Sequence, residues 1–261
     1  MTDPTDVAAW GADRPSARGL AARPPWPEAL LEELRRARDP TLVVHPEPGP
    51  VATVGLLPGS FDPLTVAHAA LAEAARREGA ELVVLLYSVR TLPKEGDVAP
   101  PLLSEPERLA ALERFVRGRP GLAVGVCSHG LLADQAEAAA RRFPSSELWV
   151  VVGSDKVLQL FHPRWYEDRD QALGRLFGRA TVRYAVRAGD DGRVEEVLAR
   201  AENAPWRDRV RPLAADPGVA SVSSRTVRER LGRGEDVRAL VPPEVLPVLG
   251  RRERPGSNQG A

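Results

Sequence analysis

The sequence predicts an α/β domain of three layers, α/β/α, with a mostly parallel sheet in the middle. Two observations carry the prediction. Strand-sized apolar runs alternate with helix-length amphipathic segments through most of the chain, and two-residue periodicity never dominates. Strands buried on both faces read as continuous apolar runs, and regular alternation with helices is the mark of parallel crossovers. The 261 residues are 43% hydrophobic, enough for one sizeable core.

The elements follow in order. Residues 1–25, rich in Pro, Gly, Arg and Asp, read as a disordered leader without a charged-then-apolar signal pattern. PEALLEELRRA, after Trp26, reads as a short amphipathic helix capping the domain. VATVGLL (51–57) is the first core strand. TVAHAALAEAARREGA (65–80) is a helix with Val66, Ala70, Leu71, Ala74 and Ala75 on one face and Gly79 at its C-terminal end. ELVVLLYS (81–88) is a buried strand. SEPERLAALERFVRG (104–118) is a helix, with Ser104 and Glu107 spaced as a capping box. LAVGVCS is a strand, LLADQAEAAARRF a helix and ELWVVVG a strand. Short helices at Lys156–Leu160 and Asp168–Phe177 precede the strand ATVRYAVRA. GRVEEVLARAEN is a helix, RVRPLA a strand and SRTVRERLGRG a helix. Residues 251–261 read as a disordered tail. One domain over 26–250 is expected, its motif-bearing core covering about 50–250.

Composition narrows the function. Lys+Arg and Asp+Glu are 36 each, and this zero balance argues against a general nucleic-acid or membrane-surface binder. The lone cysteine, Cys127, excludes an internal disulfide framework and a Cys-rich zinc site, and fits a reducing cytoplasm. Apolar runs such as LVVLL and WVVV are strand-sized, too short to span a membrane. No His, Cys and Asp cluster has metal-site spacing, and His45, His129 and His162 receive no function.

Ligands of an open parallel sheet sit at the carboxyl ends of its strands. GLLPGSFDPLTVAH (55–68) lies at such an end. Gly59 lets the backbone approach a ligand. Thr65 as N-cap puts His68 near N3, where helix N–H groups favour an anion and a His can donate to phosphate. A tight turn with a capping Thr and an incidental His fits the same residues. The dinucleotide G-x-G-x-x-G, the G-K-[ST] phosphate loop and the G-x-S-x-G elbow are all absent.

GSFDPLTVAH resembles the first signature of the nucleotidyltransferase (cytidylyltransferase-like) superfamily, G-[GS]-[ST]-F-D-P-x-[HT]-x-G-H. That superfamily includes the nicotinate and nicotinamide mononucleotide adenylyltransferases, pantetheine-phosphate adenylyltransferase and the small cytidylyltransferases. Ala67 stands where the pattern has Gly. VSSRTVRERLGRGEDVRALVPPEVLPVL (222–249) resembles the second signature, I-S-S-T-x-I-R…G…V-R-x-L-V-P-x-x-V. Ser223, Ser224 and Arg228 fall on matching positions, and Arg225 replaces Thr. Two hydroxyls at a helix start with an Arg about a turn later also make an anion cradle in their own right. A capped, Arg-rich surface helix or a DNA-recognition helix fits them too, the latter weakened by the neutral charge.

Between these motifs, SVRTLPKEG resembles a loop that places Lys94 by the phosphates, though a solvated loop lysine reads the same. In LLSEPERLAAL, Arg108 matches a family Arg, and structural ion pairing is the other reading. VVVGSDKVLQLFHPRWYED resembles the G-x-D…W acceptor element, with Asp155 at a strand end and Trp165 placed to stack on a pyridine ring. Its Asp-to-Trp spacing is longer than in the bacterial nicotinate enzymes and looks more like a divergent branch.

The resemblance implies a Rossmann-like enzyme that moves AMP from ATP to nicotinate or nicotinamide mononucleotide in NAD biosynthesis, with release of pyrophosphate. It implies direct in-line attack by the acceptor phosphate. His68 and Thr65 would contact the ATP phosphates, and Lys94 and Arg228 would neutralise charge. Gly59, Ser60, Phe61 and Asp62 would line the nucleotide. Ser223 and Ser224 would bind phosphate, and Asp155, Trp165 and Arg108 would form the acceptor side. Mg²⁺ would be carried on the substrate phosphates. Two alternatives are a cytidylyl- or adenylyltransferase for another phosphorylated acceptor, and a non-catalytic nucleotide-binding regulator. Neither nucleic acid nor a membrane is expected as a partner, and the oligomeric state, a homo-oligomer included, is open.

Overall fold

The structure, a computed structural model, describes residues 25–90, 100–190 and 192–250. The expected leader apart from its last residue, the expected tail and Lys94 lie outside the described residues. Seven strands form one sheet: β1 (Leu42–His45), β2 (Thr53–Pro58), β3 (Leu82–Ser88), β4 (Leu122–Cys127), β5 (Glu147–Gly153), β6 (Thr181–Ala185) and β7 (Val210–Pro212). Their order is β1-β4-β3-β2-β5-β6-β7, and every pair is parallel except β1 with β4. From β2 the chain steps outward through β3 to β4, then returns to place β5, β6 and β7 on the other side. The direction of winding therefore reverses between β2 and β5. In such sheets the ligand crevice opens at the carboxyl ends of the two strands flanking that switch.

Burial follows the expected logic. All seven residues of β3 and all six of β4 are buried, as strands covered on both faces must be. Alternate strand residues feed two cores. Leu57, Val83, Leu85 and Val151 pack with α1 (Glu28–Arg36), α2 (Val66–Arg77), α3 (Glu105–Val116), α8 (Ser224–Gly232) and α9 (Leu246–Leu249). Val54, Leu56, Val84 and Val150 pack with α4 (Leu132–Arg142), α5 (Ser154–Leu160), α6 (Arg169–Phe177) and α7 (Arg193–Ala199). This is the predicted three-layer α/β/α arrangement. Among the described residues, no helix is long and apolar enough to cross a membrane.

The structure differs from expectation in several places, including the end of β6 at Ala185 and the unforeseen α9. β1 is an extra edge strand, with Leu42 opposite Cys127 and His45 opposite Val124. Its four residues sit between Pro40 and Pro46, which hide the strand signal. Glu113 of α3 pins this edge by accepting from Trp26 Nε1 at 2.9 Å and facing His45 Nδ1 at 3.2 Å. α7 stops at Ala199, and the rest of the expected helix becomes a 3₁₀ segment, Ala201–Arg209, with Pro205 inside it. α5 begins at Ser154 rather than Lys156, directly off the end of β5.

Candidate active site

β2 ends at the switch point, and Gly59 extends its ladder by donating to the Leu86 carbonyl at 3.1 Å. Phe61 then takes a φ of +46° and is buried. Its ring folds back over Gly59, where an added Cβ would lie 2.8 Å from two ring carbons. The glycine is thus required by the turn's own phenylalanine. The same ring supports His68, with centroids 5.2 Å apart.

Thr65 caps α2 as predicted, and a reciprocal capping box joins it to His68. The Thr65 N–H donates to His68 Nδ1 at 3.1 Å, and the Thr65 hydroxyl lies 2.8 Å from the same nitrogen. With Nδ1 accepting, the neutral ring carries its proton on Nε2, which fixes His68 as an Nε2–H donor. Thr65 is fully buried, and its side chain caps the helix and meets His68. The Val66 N–H donates to Leu240 O at 3.0 Å, so part of the α2 anion cradle expected from sequence is closed by the chain itself.

Asp62 is buried and forms a hub. Its carboxylate accepts from Leu102 N at 3.0 Å and Leu103 N at 2.7 Å, just ahead of α3. Arg108 Nε and Arg228 Nη1 each stand 3.7 Å from it. Arg108 also donates to the carbonyls of Leu103 (2.8 Å) and Ser60 (3.3 Å). Asp62 and Arg108, expected at the ligand, are buried and paired within the protein, and the Phe61 side chain is buried with them. They frame the turn while the Gly59–Ser60 backbone runs along the strand end.

α8 docks on this turn. Ser223 is its N-cap and accepts from the Thr226 N–H at 3.1 Å. Ser224 Oγ donates to Pro63 O at 2.8 Å, and Arg228 Nη1 donates to Asp62 O at 3.0 Å. Two motifs some 160 residues apart in the chain therefore form one wall of the crevice.

The β5 side has its own network. Asp155 is exposed on the first turn of α5, with Arg187 Nε 3.7 Å from its carboxylate. Arg187, two residues past β6, also donates to Val222 O at 3.0 Å, and its N–H donates to Ser154 Oγ at 2.9 Å. Ser154 in turn donates to buried Asp190 at 2.9 Å. Burial pushes the neighbouring Lys156 ammonium below the usual lysine range, with the Asp155 carboxylate opposing that shift. Trp165 lies in the 3₁₀ turn Pro163–Trp165, its ring 4.6 Å from the Arg164 guanidinium, and its buried Nε1 has no hydrogen-bond partner among the described residues. Among the described residues, no hydrogen bond, ion pair or ring contact links it to Asp155.

The structure thus brings together Gly59, Ser60, Phe61, Asp62, Thr65, His68, Arg108, Ser224 and Arg228, with Ser223 on the same helix start. Asp155 joins them only through Arg187 and Val222. Sequence reasoning passed over Ser154, Arg187 and Asp190. Arg187 falls inside the expected strand ATVRYAVRA, whereas β6 ends at Ala185, so no sequence signal marked it.

The model of the cytidylyltransferase-like family matches residues 56–230, from β2 into α8. The chain belongs to the cytidylyltransferase-like family. For this nucleotidyltransferase the match takes in the whole first signature, GSFDPLTVAH, and the start of the second, VSSRTVRER. A probable nicotinate-nucleotide adenylyltransferase of Laribacter hongkongensis is 32% identical over 203 residues, covering 72% of this chain and 87% of that protein. One of the same name from Anaeromyxobacter dehalogenans is 30% identical, covering 74% and 91%. The solved Plasmodium falciparum nicotinic acid mononucleotide adenylyltransferase, complexed with APC, matches with a TM-score of 0.52 over 77% of this chain and 96% of that one. At 13% identity this is a likeness of fold.

Proposed function

We propose that this nucleotidyltransferase moves AMP from ATP to nicotinate mononucleotide, or to nicotinamide mononucleotide, and releases pyrophosphate. The observation that carries the reading is the docking of α8 on the Gly59–Pro63 turn, through Ser224 to Pro63 and Arg228 to Asp62. It assembles both signatures beside the switch point, where a nucleotide would lie. The names of the relatives support the acceptor.

In the reaction, an oxygen of the acceptor phosphate bonds to the α-phosphorus of ATP as the bond to pyrophosphate breaks. The attacking oxygen is already anionic, so no base is required, and catalysis is positioning plus charge stabilisation. His68 Nε2–H donates to a phosphate oxygen as charge builds there. Ser223 and the first turn of α8 face the phosphates, and Arg228 adds positive charge to that wall while holding Asp62. Lys94 would add a second cation.

The residues fit a divalent cation brought in on the triphosphate. Asp62 is fully engaged, and among the described residues no group of three or more His, Cys, Asp or Glu could hold a metal. Mg²⁺ commonly binds through one or two carboxylates and substrate phosphates, without a protein cage. When bound it would offset charge on the triphosphate.

The test is pyrophosphate release with Mg²⁺, ATP or CTP, and a panel of phosphorylated acceptors including both pyridine mononucleotides. Release with ATP and a pyridine mononucleotide is expected. His68→Ala should lower turnover at least ~100-fold, the usual scale for losing a transition-state donor. Near-normal turnover in that variant removes His68 from the mechanism. Release only with another pair replaces the substrate, and ATP binding without release under any pair favours a nucleotide-binding regulator.

A further inference from the structure

We propose that Arg187 is the acceptor-side cation of this site, exchanging its contact with Asp155 for an anionic group of the acceptor. The proposal rests on the transfer reading above and deepens it.

Three features single out this arginine. Its base is fixed. The Arg187 N–H is held by fully buried Ser154, Ser154 by buried Asp190, and Asp190 by Arg193 at 2.6 Å. Its head is lightly held. Of five guanidinium N–H donors, one is bonded among the described residues, to Val222 O. The Asp155 contact, at 3.7 Å, is longer than a hydrogen bond, and the Asp155 side chain is 51% exposed. With the Arg187 side chain 28% exposed, a partly exposed pair of that length contributes little and gives way readily to a better anion. Its location is between the two walls. β6 aligns Ala185 with Gly153, so Arg187 rises beside the β5–α5 turn. From there it reaches Val222, the residue before the α8 N-cap.

Gly153 makes this placement possible. An added Cβ there would lie 2.5 Å from Asp155 Oδ1 and 2.9 Å from Arg187 Cδ. A larger residue there would push the Asp155 carboxylate and the Arg187 stem aside. A planar guanidinium with unbonded donors suits a phosphate or a carboxylate. A pyridine mononucleotide offers a 5′-phosphate, and nicotinate adds a ring carboxylate.

The experiment compares wild type with Arg187→Ala and Arg187→Lys in steady-state kinetics, thermal unfolding and equilibrium binding of both pyridine mononucleotides. Arg187→Ala should weaken the acceptor, by KM and Kd, at least ~10-fold, the scale of one charge-assisted hydrogen bond. The KM for ATP and the Tm should hold, and Arg187→Lys should recover part of the loss. Equal loss for both mononucleotides assigns the phosphate, and loss confined to nicotinate assigns the carboxylate. Unchanged acceptor affinity overturns the proposal, as does a parallel fall in Tm and in affinity for both substrates. Wild-type turnover alone tests the transfer reading. Binding still decides on Arg187 in an inactive protein, and a wild type that binds neither mononucleotide overturns the proposal as well.

Discussion

Asp62→Asn separates a framework role from a ligand-binding one. The Asp62 side chain is 7% exposed, and its two oxygens accept from Leu102 N and Leu103 N. Asn keeps one acceptor and turns an NH₂ toward the other backbone donor, so one hydrogen bond to a charged group is lost, about 1.5–3 kcal/mol. Arg108, with its side chain 9% exposed, also loses its countercharge. Breaking a buried pair costs about 3–5 kcal/mol in general. Here Arg108 keeps its bonds to the Leu103 and Ser60 carbonyls, which argues for the lower end. The expected loss is ~3 kcal/mol, or a fall in Tm of about 6–12 °C for a domain of this size. Urea unfolding should show a lower midpoint at unchanged slope. Turnover should fall too, because α8 docks on the same residue. Asp62→Asn and Arg228→Met should therefore be non-additive in stability. A variant with wild-type stability but lost turnover would refute the argument and place Asp62 at the ligand.

Three other outcomes follow from the same geometry. In Gly59→Ala the new methyl meets the Phe61 ring at 2.8 Å, so the ring must leave its seat beside His68. Overpacking of this kind costs about 1–3 kcal/mol, and an unchanged Tm with full turnover would contradict it. All three tyrosines of the chain, Tyr87, Tyr166 and Tyr184, are pushed up to about 12, first of all by burial. A raised phenol pKa stabilises the fold fully below the ordinary value of 10.0, and that contribution is lost as pH rises through about 12. Absorbance at the phenolate band should stay flat to about pH 11 and then rise with unfolding, whereas a simple titration centred near 10 would contradict the burial. Cys127 is buried in β4 and its thiol is raised to about 11, again mainly by burial. It should react with thiol reagents at pH 8 only after denaturation, and rapid native labelling would mean that the β1–β4 edge opens.

The alternation of elements was legible because both cores are fed by strands with unbroken apolar runs, as in LVVLLYS and WVVVG. Caps at Thr65 and Ser104 were legible because each is a local pattern of three or four residues. β1 was not, since four residues between prolines carry no periodicity. Its existence depends on pairing with β4, some 80 residues further along. The 3₁₀ segment after α7 was missed because the apolar spacing runs on into it, and only Pro205 hints at the change. Within the candidate site, GSFDPLTVAH and VSSRTVR meet at the switch point, through Ser224 to Pro63 and Arg228 to Asp62. What sequence could not show was which way each side chain points. Arg187 carries no motif, and its place depends on the β5–β6 register.

That blind spot has a physical cause. The crevice must hold two segments together although some 160 residues separate them. Positioning within fractions of an ångström governs this kind of chemistry, so the walls must be locked before substrate arrives. Locking demands buried, polar and well-paired side chains, the same residue types that bind anions when they face outward. Asp62, Thr65 and Arg108 meet that demand, and half-buried Ser224 adds its bond to Pro63 O. In the proposed reading His68, Ser223 and Arg187 are left for the crevice, each held by a neighbouring group. A motif residue can therefore be indispensable without touching a ligand. The stability of Asp62→Asn and the acceptor affinity of Arg187→Ala should move independently, because the first variant loosens the wall and the second only removes what the wall presents.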